Sequence, residues 1–190
     1  MKNTGFILKL ASILFAIAFV CTFVLVLCNN ITAPIIAKNT KITEEQARVT
    51  VLPTAEDFEE VSVKSLGVTE SYIGKDSDGK TAGYCFKIST KENKNKAFGG
   101  EIQMIVGVDI DLNITGVEIT SMAETPGLGA KAGESEFKNQ FIGKSGEITV
   151  KTGDNSIKAI SGATITSKAV TEGVNNALKV AEFLKEKEAK

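Results

Sequence analysis

The chain has 190 residues, of which 22 are basic and 23 acidic, so its formal net charge is −1. This balance gives no basic field for nucleic acid, and we expect no nucleic-acid partner. Histidine is absent, which excludes Ser-His-Asp and Cys-His nucleophile systems and every histidine-ligated metal site.

An apolar run at residues 10–28, LASILFAIAFVCTFVLVLC, carries no charge, glycine or proline. As a helix it would span about 28 Å, close to the hydrocarbon thickness of a bilayer. Lys2 and Lys9 precede it, and the next basic residues are Lys38 and Lys41. The positive-inside rule therefore predicts a single-pass anchor in the cytoplasmic membrane, with a cytoplasmic N-terminus and an outward-facing domain. A cleaved signal peptide is the weaker alternative, because no A-x-A-like site follows.

The three cysteines are Cys21, Cys28 and Cys85. The first two lie seven residues apart and share one face of the apolar helix, where we interpret them as small apolar residues. Because no CxxC spacing occurs, the sequence predicts no disulfide framework, structural zinc site or iron–sulfur cluster.

A stalk follows the anchor. Pro34 interrupts its start, and residues 42–52 can form a short helix with Thr43 as a possible cap. Pro53 ends that helix. The predicted organisation has three parts: a membrane anchor at 1–30, a stalk helix at 31–55 and an extracytoplasmic domain at 56–190.

Residues 68–121 have the period of β-strands. Residues 71–74 and 80–90 flank a turn at Asp78-Gly79, which predicts a hairpin. Residues 101–110 and 114–122 are also strand-like, and a short DLN turn joins them. Neighbouring strands with short turns predict an antiparallel meander, and the lack of strand–helix–strand alternation argues against a Rossmann sheet. The predicted fold class is α+β, an antiparallel sheet with flanking helices behind the anchor.

Loops and a closing helix follow the meander. ETPGLGAKAG at 124–133 predicts a shaped loop, residues 136–143 a short helical turn, and residues 147–160 one or two further strands. From about Thr166 a helix presents one apolar face, made of Val170, Val174, Leu178, Ala181 and Leu184.

Two glycine-rich segments fail the nucleotide-binding patterns. A GxGxxG motif starting at Gly127 meets Ala132 instead of its last glycine, and a P-loop ending at residues 143–145 meets Lys138 instead of its first. Neither segment has the strand–helix context that these motifs require. We therefore expect no dinucleotide or triphosphate site of either kind.

The segment SGATITS at 161–167 places several hydroxyls before a helix. One hydroxyl would cap that helix, and Thr166 or Ser167 could supply it. Alternatively, a helix start attracts phosphate, and a hydroxyl there could carry one as an ester, with Gly162 and Ala163 leaving space. Without histidine or an obvious general base, such a modification would need another enzyme.

SGATITS, ETPGLGAKA at 124–132, FGGEIQMIVGVD at 98–109 and the anchor together resemble the FMN-binding G subunit of the Rnf complex. The resemblance covers nearly the whole chain in order. The C subunit of the sodium-pumping NADH:quinone reductase shares the SGAT motif, but it is usually longer than 190 residues. The length therefore favours the Rnf protein.

The resemblance implies that FMN is joined to Thr164 by a phosphoester bond made by a separate flavin transferase. The flavin would pass electrons within a membrane complex that couples ferredoxin and NAD redox chemistry to sodium or proton movement, so the implied partners are the other membrane and redox subunits. Further FMN contacts are implied for Ser161, Gly162, Ala163, Thr166, Thr125, Gly127, Leu128 and Gly129. For the 124–129 loop, a purely structural tight turn remains an open alternative.

Two positions depart from the family pattern. Lys158 lies where the family usually has aspartate, and Met122 where it often has histidine. Three other interpretations stay open: the quinone reductase C subunit, a stand-alone anchored FMN domain, and a cofactor-free membrane-tethered binding module. Lys158 is the only feature that favours the last of these.

Overall fold

The computed structural model describes residues 4–63, 65–151, 153 and 155–188. Lys2, which contributes to the predicted membrane orientation, lies outside these residues. The chain divides into two compact units, Met1–Ile42 and Thr43–Lys190. The predicted boundaries after residues 30 and 55 remain predictions.

The first element, α1, is one α-helix over Thr4–Val51. Among the described residues it is the one helix long and apolar enough to cross a membrane. The predicted interruption at Pro34 and the separate helix capped by Thr43 are wrong, because both residues lie inside α1. The fixed φ of proline fits a helix, so its cost is one missing hydrogen bond and local crowding, and apolar helices tolerate that cost.

Five strands form an antiparallel meander with spatial order β1-β2-β3-β4-β5; four of them were predicted, and β1 was missed. The hairpin between β2 and β3 is confirmed, with Gly79 in the left-handed region at φ +76°. The turn between β4 and β5 is also confirmed. The strands are β1 (Asp57–Val61), β2 (Val68–Lys75), β3 (Thr81–Ser89), β4 (Gln103–Asp109) and β5 (Ile114–Ser121).

The remaining elements cover one face of this sheet. They are α2 (Ser135–Lys138), the short parallel pair β6 (Thr149–Val150) and β7 (Ser156–Ile157), α3 (Thr164–Glu188), and 3-10 turns at Thr90–Glu92, Gly129–Gly133 and Asn139–Phe141. The predicted apolar face of α3 is confirmed, because all five of its residues are buried in the main core. Phe86, Ile88, Met104 and Val106 supply the sheet side of that core.

The opposite face of the sheet carries an unpredicted feature, a shallow trough of glycines from four adjacent strands. Val51, the last residue of α1, and Leu52, which follows it, are buried against it. A Cβ on Gly107 would overlap the Val51 carbonyl oxygen, and one on Gly74 would lie 2.6 Å from Leu52 Cδ2. Larger residues would therefore push the helix end away. The trough consists of Gly74, Gly83, Gly107 and Gly116.

An ionic network holds the preceding helical turns on the same face. The Lys87 ammonium lies 2.9 Å from Glu44 Oε1 and 3.0 Å from Glu70 Oε1. The Tyr72 hydroxyl donates to Glu70 at 2.7 Å, and the Arg48 guanidinium lies 4.4 Å from the Tyr72 ring centroid. Burial and the Glu70 carboxylate raise the pKa of Tyr72 above its usual range. Residues 44–52 are thus part of the folded domain.

Cys85 provides a test of this packing. It lies in β3 beneath α1, fully buried, and burial raises the pKa of its thiol to about 12. Because the thiolate is the reactive form, we expect iodoacetamide at about pH 8 to leave Cys85 unmodified in the folded chain and to alkylate it in urea. Peptide mass spectrometry measures the difference. Equal labelling in both conditions would show that the helix end does not cover this face.

Candidate functional site

A cleft of about 350 Å³ opens where three segments meet at one end of the sheet. The segments are the approach to β4, the loop after β5 and the start of α3. The volume falls within the range of small-molecule sites, about 300–1,000 Å³. The lining residues are Phe98, Glu124, Thr125, Leu128, Gly129, Gly162, Ala163, Thr164, Ile165 and Thr166.

Seven of the nine residues singled out in the sequence line this cleft; Gly127 and Ser161 do not. Ser161 borders a neighbouring cavity of about 240 Å³ instead. Three lining residues were missed: Phe98, Glu124 and Ile165. Phe98 and Glu124 lie within quoted motifs, but only their spatial convergence marks them as part of a cleft.

The start of α3 is built by backbone rather than by a hydroxyl cap. Gly162 has φ +76°, and the Ser167 amide donates to the Ala163 carbonyl at 3.0 Å. The helix therefore begins at Thr164, and the proposed caps Thr166 and Ser167 are wrong because both lie within its first turn. The Ser167 hydroxyl instead donates to the Ala163 carbonyl at 2.9 Å and accepts from the Ile160 amide at 3.0 Å.

Glu124 joins all three segments of the cleft. Its Oε1 accepts from the Gly99 amide at 2.7 Å, and its Oε2 accepts from the Thr166 hydroxyl at 2.9 Å. The side chain is buried, and a Cβ on Gly129 would overlap its Oε2. Glycine at 129 is thus what lets the loop wrap around the carboxylate.

Apolar side chains form the outer lip of the cleft. Phe98 is 75% exposed, Ile165 55% and Leu128 45%. A Cβ on Gly162 would lie 3.1 Å from Leu128 Cδ2, so the SGAT and ETPGLG segments are in close contact. Exposed apolar side chains around one concave site suit a flat, largely apolar ligand.

A larger groove of about 650 Å³ runs along α3, but its polar side chains hold the protein's own backbone. Glu172 accepts from the Lys94 and Asn95 amides at 2.7 and 2.8 Å, and Asn175 bonds both backbone groups of Ile148. Burial opposes the charge of Glu172, yet these amide donors hold its pKa below the usual range. These hydrogen bonds hold the loop before β4 in place, so the groove is a weaker candidate for a ligand site.

Comparison with known proteins decides the family. Residues 97–179 match the FMN-binding domain family, and residues 1–51 match the RnfG N-terminal region. The chain is 40% identical to the G subunit of the Na⁺-translocating ferredoxin:NAD⁺ oxidoreductase complex of Acetobacterium woodii, over 94% of this chain and 93% of that protein. This chain belongs to the family of Rnf G subunits. It is also 32% identical to the G subunit of the proton-translocating ferredoxin:NAD⁺ oxidoreductase complex of Clostridium ljungdahlii, over 93% of this chain and 92% of that protein.

A solved structure shares the fold. The C subunit of the Na⁺-translocating NADH-quinone reductase from Parabacteroides distasonis superposes with a TM-score of 0.56 at 18% sequence identity, covering 79% of this chain and 94% of that one. The α+β architecture predicted from the sequence is thereby confirmed for this Rnf G subunit.

The two departures from the family pattern lie outside the cleft lining. Lys158 is exposed, its amide donates to Gln140 Oε1 at 2.7 Å, and its carbonyl accepts from Gln140 Nε2 at 3.4 Å. Met122 is partly buried against the main core, and a Cβ on Gly133 would lie 2.8 Å from its methyl carbon. Neither side chain shapes the wall that the two motifs form.

The residues present fit an FMN group. Thr164 is exposed at the first position of a 25-residue helix. The first amides of a helix have no partner within it, and together with the helix dipole they favour a phosphate. The apolar lip provides the surface that a flavin ring needs. In the described part of the chain, no protein group engages the Thr164 hydroxyl, so the oxygen is available for an ester bond.

Proposed function

We propose that this chain carries FMN as a phosphoester on Thr164 and serves as an electron carrier in an Rnf-type complex. In that complex, electron transfer between ferredoxin and NAD drives sodium or proton translocation. Family membership supports the complex, and the FMN-binding domain match supports the cofactor.

The observation that carries the covalent linkage is the position of Thr164. Its exposed side chain lines the same cleft as Thr125, Leu128 and Gly129, residues about 40 positions earlier in the chain. The flavin supplies the redox chemistry; this chain binds and orients it. Thr164 would hold the phosphate end, assisted by Thr125, Gly127 and Ser161.

The apolar lip of Phe98, Leu128 and Ile165 would take the ring. Gly129, Gly162 and Ala163 add no large side chains to the cleft, and Thr166 holds its wall through Glu124.

Maturation requires a second protein. Of the described residues that line the cleft, Glu124 alone has a carboxylate, and that carboxylate is held by Gly99 and Thr166 rather than by Thr164. With no group positioned to activate the threonine oxygen, a separate flavin transferase forms the ester.

The domain faces outward from the cytoplasmic membrane, with the N-terminus inside. Its working partners are the membrane and redox subunits of the complex.

Intact-mass measurement of the full chain tests this function. Co-production with a flavin transferase should add the mass of FMN less one water, and the yellow colour should survive denaturation. Production without the transferase should give the mass of the unmodified chain. An unmodified mass in both preparations would favour the cofactor-free binding module instead.

A further inference from the structure

We propose that the Glu124 carboxylate sets the redox potential of the flavin held in this cleft, keeping it low. The inference rests on the proposed function, since it requires FMN on Thr164. Glu124 would act as a positioning and charge-bearing residue.

The composition of the wall supports this role. Of the ten described residues that line the cleft, Glu124 alone is charged, and three of the others are the exposed apolar residues of the lip. The residue is 7% exposed, and its carboxylate is held by an amide and a hydroxyl rather than by a cation. The four ion pairs among the described residues lie elsewhere. No cation among the described residues forms an ion pair with the Glu124 carboxylate, so its negative charge acts on the cleft.

Electrostatics gives the direction of the effect. Coulomb interactions are stronger where water is excluded than at an exposed surface. A fixed negative charge in the wall disfavours added electrons on any group beside it and so lowers that group's midpoint potential. The partial positive charge at the start of α3 acts in the opposite sense. Removal of the Glu124 charge should therefore raise the potential.

Glu124→Gln removes the charge and keeps the shape. The amide oxygen can still accept from the Gly99 amide, and the amide nitrogen can donate to the Thr166 oxygen. The matched control is Glu136→Gln, which neutralises an exposed carboxylate that does not line the cleft. Thr166→Val tests whether a less firmly held Glu124 carboxylate changes the potential, because it removes the hydroxyl donor and leaves the charge.

The experiment is spectroelectrochemical titration of the full chain in detergent, after intact mass has established flavin loading. We expect Glu124→Gln to raise the midpoint potential, and Glu136→Gln to leave it at the wild-type value. Thr166→Val should not raise it. A loaded Glu124→Gln protein with the wild-type potential overturns the inference and leaves the proposed function standing. A wild-type chain that acquires no FMN overturns the proposed function itself.

If Glu124→Gln does not fold, two charge-conserving variants test the inference instead. Glu124→Asp and Thr166→Val both keep the negative charge, so both should titrate at or below the wild-type potential. A rise in either one would show that the geometry of the wall, rather than its charge, controls the potential, and would overturn the inference.

Discussion

Thr164→Ala should abolish covalent flavin and leave the chain folded. Thr164 is exposed at the first turn of α3, and its side chain has no hydrogen-bond partner among the described residues. Its removal should therefore change the free energy of unfolding by only about 0.5 kcal/mol, as is usual for surface positions. The measurement is intact mass after co-production with the flavin transferase, together with thermal denaturation followed by circular dichroism.

Two matched variants distinguish loss of the attachment oxygen from disruption of the SGAT loop. Thr164→Ser keeps a hydroxyl at the same position and should retain some modified chain. Ser145→Ala removes an exposed hydroxyl that does not line the cleft and should retain the flavin mass in full. If Thr164→Ala still gains the mass of FMN less water, the bond lies on a different residue.

A chain that begins at Glu56 should be far less stable than one that begins at Thr43. The shorter chain lacks Val51 and Leu52, which are fully buried against the glycine trough. Burial of each aliphatic side chain contributes about 1.5–3 kcal/mol, so their joint loss of about 3–6 kcal/mol is comparable with the lower end of the total stability of a typical domain, about 5–15 kcal/mol. The shorter chain also loses the Glu44–Lys87 ion pair.

Urea denaturation of the two truncated chains measures this difference. The chain from Thr43 should show one cooperative transition, and the chain from Glu56 should be largely unfolded without urea. As a point control in the full chain, Leu52→Ala should lower stability by about 2–5 kcal/mol. Equal midpoints for the two truncated chains would mean that residues 43–55 contribute no packing and only connect anchor and domain.

Local patterns in the sequence were enough to predict the meander and α3. Alternation in 101–110 and 114–122 and the 3.6-residue period from Val170 to Leu184 depend on neighbouring residues alone, and both are confirmed. The predicted interruption at Pro34 was wrong, because the helical preference of the surrounding residues outweighs the helix-breaking tendency of a single proline. The glycine trough could not be predicted from local sequence, because it depends on packing between the end of α1 and strands far along the chain, as where Val51 lies against Gly107 and Gly116.

The candidate site was predictable only in part. The two motifs were visible, but the bond between Glu124 and Thr166 joins residues 42 positions apart, and no local spacing signals it. Phe98 and Ile165 resemble ordinary core residues in a sequence, since their exposure is known only from the fold. The helix start was misplaced by two residues because the left-handed backbone of Gly162 ends the loop earlier than a hydroxyl cap would.

The double hydrogen bond between Gln140 and Lys158 has a consequence for how this segment can evolve. The segment before SGAT is held through the main chain of residue 158, and the Lys158 side chain projects outward. We therefore expect lysine and aspartate at this position to support the same fold. If the two residues differ in flavin attachment, the difference should arise where a flavin transferase contacts this exposed side chain, and a substitution there should change attachment without changing the fold.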